Sequence, residues 1–155
     1  MIIRGNKLTD EIVVEIGRFA ILWNCFERYI CANQCSPAKI KDVYKELSID
    51  KAAQKKLSAV LNERRGWFGQ VICDYVDTGL YPGNARRGKE DDSILMQEFM
   101  KQDSEDLRCG CLLVIHRLRN NLMHGLKLIE ELNEQLTLFQ AANEVLESIE
   151  RVSDA

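Results

Sequence analysis

Between positions 116 and 125 the chain reads HRLRNNLMHG, which sets two arginines, two adjacent asparagines and two histidines within one short stretch. Asparagine costs a helix roughly 0.6 kcal/mol relative to alanine. The pair Asn120 and Asn121 therefore weakens the helix that this stretch otherwise forms, unless the two amides bind something. Arginine is a permanent positive fork for phosphate oxygens, the asparagine amide offers donors, and histidine gives and takes protons near neutral pH. Such a set suits RNA cleavage without a metal. The ribose 2′-hydroxyl attacks the neighbouring phosphorus, a base removes its proton, an acid protonates the departing 5′-oxygen, and a cation stabilises the phosphoryl transition state.

Counted at about 100° per residue from Arg117, Asn120 falls near 300°, Asn121 near 40° and His124 near 340°, which predicts one polar face. Ile115, Leu118, Leu122, Leu126 and Ile129 take the opposite side. Arg119 lands at about 200°, among them. Glu27 interrupts the apolar stripe of an earlier helix, four residues after Trp23 and three before Ile30. Because a buried unpaired charge is too costly to persist, Arg119 and Glu27 are expected to meet as a two-pronged pair.

Arg119 and His124 diverge by about 140° and ~7.5 Å on a regular helix. Both reach one phosphate if the helix breaks near Gly125, if the arginine curls round, or if a second subunit completes the site. A plainer account needs no catalysis: a helix closing on His and then Gly satisfies its dipole and its left-handed cap. His116, beside Arg117, is expected to be simply solvated.

The elements that carry these residues follow from composition and period. The chain has 155 residues, a formal net charge of −3, two prolines and nine glycines. That describes one helix-rich, all-α domain spanning 1–155, without the broad basic footprint of a general nucleic-acid coat. Any RNA contact must be local. No run reaches the ~18 apolar residues of a membrane span, and the amino terminus lacks a cleavable leader, so no membrane partner and a cytoplasmic location are expected. The six cysteines include no C-x-x-C knuckle. They are expected to be reduced thiols filling the core, with no metal and no cofactor.

Apolar spacing predicts a helix over 10–33, and Ser36 followed by Pro37 caps a second that runs to about Leu47. A longer pattern runs from Asp50 to Tyr75 through Gly66 and Gly69, with Trp67 and Phe68 expected in packing. Residues 76–92 lose all periodicity and are expected to form a flexible loop. Ser93 would then cap a short helix to Met100, and Asp103 or Ser104 the helix carrying the motif. Finally Ile129, Leu132, Leu136, Phe139, Ala142, Leu146 and Ile149 make a heptad-like seam, to be packed within the domain or against a second copy.

RNNLMHG, Arg119–Gly125, resembles the R-x(4–6)-H signature of the HEPN superfamily, helical domains of prokaryotic toxins, abortive-infection proteins and some RNA-processing nucleases. Asn120, directly after the arginine, is typical. LWNCFERYI, Leu22–Ile30, is similar to the first helix of such domains, with Glu27 matching its acidic residue. Over residues 10–150 the resemblance implies a HEPN-like bundle of four to five helices, commonly a homodimer whose two motifs face each other. It implies a metal-independent endoribonuclease of toxin or defence type, leaving a 2′,3′-cyclic phosphate and held in check by an antitoxin or other neutralising protein. Carried over, His124 transfers protons, Arg119 binds the phosphate and transition state, Asn120 and Asn121 assist binding, and Glu27 orients Arg119. Arg117 also fits the looser spacing, and Met123 stands where an aromatic is expected. Some members have lost catalysis and bind a protein partner or nucleotide, which is the alternative function.

Overall fold

The computed structural model describes residues 1–63, 84–123 and 129–152. Helix α1 (Asp10–Tyr29) begins where the sequence supplies a cap: Thr9 is extended, and its side chain accepts from the Ile12 N–H at 3.2 Å. Asp10 and Glu11 in the first turn and Arg28 in the last oppose the helix dipole favourably. Thr9→Ala is expected to cost about 1 kcal/mol, read as a lower urea midpoint with an unchanged slope. The helix stops short of position 33 because Ala32 and Asn33 take left-handed backbone angles, φ 51° and 64°.

Helix α2 (Pro37–Val43) starts as expected, with the Ser36 Oγ accepting from the Lys39 N–H at 3.1 Å, and continues as a 3₁₀ turn over Tyr44–Glu46. Helix α3 (Lys51–Glu63) is capped by Asp50, whose Oδ2 accepts from the Ala53 N–H at 3.0 Å. The expected extension of that pattern to Tyr75, with Trp67 and Phe68, lies outside the described residues. Helix α4 (Asn84–Lys101) corrects the reading of 76–92 as a loop: from Asn84 onward the chain is helical, and 76–83 lies outside the described residues. NARRGKEDD holds several good helix formers but no large apolar residue, so no period registers there. Ser93, expected as a cap, is buried inside α4.

Helix α5 (Arg108–Met123) carries the motif, and Asp106 takes the capping role expected of Asp103 or Ser104, its Oδ1 accepting from the Arg108 N–H at 3.2 Å. A 3₁₀ stretch over Ile129–Gln135 leads into α6 (Leu136–Ser148). Two short antiparallel ladders complete the described chain. Ile2–Ile3 (β1) pairs with Asn6–Lys7 (β2) around Arg4 and Gly5, both at positive φ, and Leu47–Ser48 (β3) pairs with Glu150–Arg151 (β4).

The seam over 129–149 packs inside the domain. Helix α6 lies against α1 and α3: Phe139 meets Phe19 edge-on at 5.4 Å between ring centres, and Lys56 reaches Glu144 at 2.6 Å. Ser58 on α3 donates to the Phe99 and Met100 carbonyls at the end of α4, and Lys41 on α2 pairs with the buried Asp92 at 2.5 Å. The all-α bundle expected from composition is the fold, with six α-helices among the described residues. No helix of the described residues is long and apolar enough to cross a membrane.

Cys31 and Cys35 correct the expectation that the thiols stay reduced: they form a disulfide across 5.0 Å between Cα atoms. With α1 ending at Tyr29, both lie in the connecting turn instead of on successive helical turns, and the chain folds them together. Cys109 and Cys111 are buried fillers, as expected, and Cys25 is exposed.

Candidate functional site

Helix α5 divides into two chemically different halves. Cys109–Ile115 is apolar all round, and each of those residues is buried, as a helix without a polar face must be. The following turns bring in His116, Arg117, Arg119 and Asn120, all half-buried, then Asn121, buried at 5 % exposure, and Met123, exposed at 62 %. The four motif residues expected on one polar face therefore do not share one environment: Asn121 turns inward while Arg117 and Asn120 stay at the boundary. A helical wheel gives direction about an axis, but α5 packs against α2, α3 and α4, so more than one side is covered. His124 and Gly125 lie outside the described residues.

Arg119 donates from Nη1 to the Asn120 Oδ1 at 3.1 Å. Among the described residues no carboxylate pairs with it, and the expected fork to Glu27 is not formed. Glu27 is half-buried on α1, and its backbone carbonyl accepts from the Asn33 N–H at 2.8 Å. The pairing argument assumed two fully buried charges. Both side chains keep access to water, which removes the penalty that would have forced them together.

His116 departs from the solvated surface position expected of it. Its ring lies 5.9 Å from that of Trp23, tilted by 50°, which ties α5 to α1. Trp23 is 5 % exposed, and its indole N–H is buried with no protein partner among the described residues. Sequence patterning placed Trp23 in the core but gave no sign of this donor. Leaving one unpaired costs about 1–3 kcal/mol.

A separate cleft of about 610 Å³ opens at the other end of α5, with Leu47, Lys51, Gln54, Lys55, Ser104 and Arg108 among its lining residues. Arg108 grips Asp106 with two prongs, Nε to Oδ1 at 2.9 Å and Nη2 to Oδ2 at 2.7 Å, while Nη1 donates to the Leu47 carbonyl at 2.6 Å. That grip holds the Asp106 carboxyl below the usual carboxylate range and raises Arg108. A carboxyl depressed by folding contributes stability that is fully present above its unfolded pKa and is lost as pH falls through the folded one. Asp106→Asn is accordingly expected to reduce stability at neutral pH and to flatten its fall on acidification, checked by urea titrations across the acid range. Glu105 and Asp106 offset most of the positive charge in this cleft, and Arg108 and Arg119 are about 16 Å apart along the helix. It adds nothing to the motif's chemistry.

The two buried thiols of α5 do not suit nucleophilic chemistry. Burial pushes the Cys109 thiol up to about 11 and Cys111 higher still, so both are protonated near neutrality. Among the described residues no group of His, Cys, Asp or Glu gathers to hold a metal. Neither family models, nor curated proteins, nor solved structures give a match to this chain.

Proposed function

We propose that this chain is a metal-independent endoribonuclease of the HEPN type, with Arg119 and His124 as the catalytic residues. One observation carries the reading: the Arg119 guanidinium is half-buried and bonded to a neutral amide, with no carboxylate among the described residues to neutralise it. Its charge remains available to a phosphodiester, and partial burial strengthens that attraction. In the reaction the 2′-hydroxyl oxygen bonds to phosphorus as the 5′-oxygen leaves. His124 handles the proton, Arg119 holds the non-bridging oxygens, and the products end in a 2′,3′-cyclic phosphate and a 5′-hydroxyl. Asn120 keeps the guanidinium in place, while Arg117 and Asn121 support the same end of α5.

With a net charge of −3 the chain engages RNA locally, which suits a selective toxin or defence nuclease in the cytoplasm, acting as a homodimer and restrained by a neutralising protein. Incubation with total RNA in excess chelator, followed by end-group analysis, tests the reading. Fragments carrying cyclic phosphate ends are expected. Cleavage that appears only with magnesium would overturn it. No turnover at all would leave the non-catalytic, partner-binding module.

A further inference from the structure

Helix α1 turns one face into the core and leaves a different kind of face outside. Counted from Val14 at about 100° per residue, the buried Ile12, Phe19 and Trp23 cluster between about 140° and 180°. Asp10, Gly17, Ile21 and Arg28 cluster with Val14 on the opposite side, between about 300° and 360°, and Asn24 borders them at about 280°. Val14 is 65 % exposed and Ile21 67 %. Nothing lies within 4 Å of where a Cβ on Gly17 would sit.

The order of residues along this stripe makes it self-complementary. Turned end for end about position 19, the stripe sets Asp10 against Arg28, Val14 against Asn24 and Gly17 against Ile21. A two-fold interface demands that one patch fit a second copy of itself. Here Ile21 of each copy meets the gap at Gly17 of the other, which lets the helices approach, Val14 packs beside Asn24, and each end pairs opposite charges. Neither Asp10 nor Arg28 has an oppositely charged partner among the described residues of its own chain; Arg28 lies over the Tyr29 ring at 5.7 Å. Beyond their favourable placement on the helix dipole, the two exposed charges at the ends of the stripe can each pair with an opposite charge on another molecule.

We propose that α1 is the self-association surface of this protein, pairing antiparallel with α1 of a second copy through Val14, Gly17 and Ile21, and closed at each end by Asp10 and Arg28. Trp23, which touches His116, points away from this face, so the polar ends of α5 stay on the outer sides of the pair. The association is therefore independent of the ribonuclease reading, and differs from an arrangement in which two motifs meet. One helix about 30 Å long gives a contact at the small end of specific interfaces, and a reversible, micromolar association is expected of it.

Sedimentation velocity of the full chain from about 1 to 100 µM spans that range and tests the proposal. A reversible dimer is expected, weakened by about tenfold or more in Ile21→Glu, a loss of at least 1.4 kcal/mol, while circular dichroism stays unchanged. Asp10→Arg and Arg28→Asp should each weaken it, and the double reversal should restore it, an outcome that loss of folding cannot imitate. Met123→Glu, at the exposed end of α5, should leave the dimer intact. A monomer throughout, a dimer indifferent to Ile21→Glu, a double reversal no better than its singles, or a dimer lost with Met123→Glu would each overturn the proposal.

Discussion

Arg119→Ala is expected to lower RNA cleavage by tens to thousands of fold while leaving the fold intact. The fold survives because Arg119 is half-buried and bonded to its neighbour Asn120, so its removal strands no opposite charge. The rate falls because a neutral methyl group cannot hold the extra charge that phosphorus oxygens gain in the transition state. Arg119→Lys should recover little of it: an ammonium is a point charge, without the planar fork that engages two oxygens at once. His124→Ala should be equally damaging, and Arg117→Ala milder, which separates the two arginines. Single-turnover cleavage of a labelled RNA in chelator measures all four. Wild-type rates in both Arg119→Ala and His124→Ala would end the nuclease reading.

Gly110→Ala should destabilise the protein, although alanine is ordinarily the better helix former by about 1 kcal/mol. A Cβ there would overlap the Leu95 carbonyl oxygen and come within 2.8 Å of the Phe99 Cβ. Both obstacles sit on α4, and one is backbone, so the two helices must separate before any side chain fits. Overpacking of this kind costs about 1–3 kcal/mol, sometimes more. Gly17→Ala on the open face of α1 supplies the control, with an expected gain of about 0.4–1 kcal/mol. Thermal and urea unfolding at low protein concentration would show the two substitutions moving stability in opposite directions. A stabilised Gly110→Ala would mean that α4 and α5 do not approach as described.

What the sequence disclosed was local. The Thr9 and Ser36 caps lie beside the first residues they serve, Pro37 suits a first helical position, and the apolar repeat over 129–149 marks part of the buried side of α6, through Phe139, Ala142 and Leu146, while Leu138, Ala141, Asn143 and Val145, off that repeat, are buried as well. Failures occurred where the answer depended on what else was nearby. The start of α4 has no large apolar residue to mark its period. The fate of Asn121 depends on three neighbouring helices, and the Cys31–Cys35 bond on where α1 ends. The fork from Arg119 to Glu27 was inferred from two charges on apolar stripes, and partial access to water made it unnecessary. The hairpin around Arg4 and Gly5 passed unnoticed because each strand is only two residues long. Of the proposed catalytic pair, the structure describes Arg119, while His124 is assigned through the resemblance.

The burial of Cys109–Ile115 on every side makes the inner half of α5 a rigid axle, and the polar turns are its protruding end. The aim of the guanidinium is inherited from side chains about 10 Å away that never touch a ligand. Small repacking around Leu112 or Leu113 is expected to tilt that end before it melts the bundle, so on the proposed nuclease function RNA cleavage would report on the interior sooner than any unfolding curve.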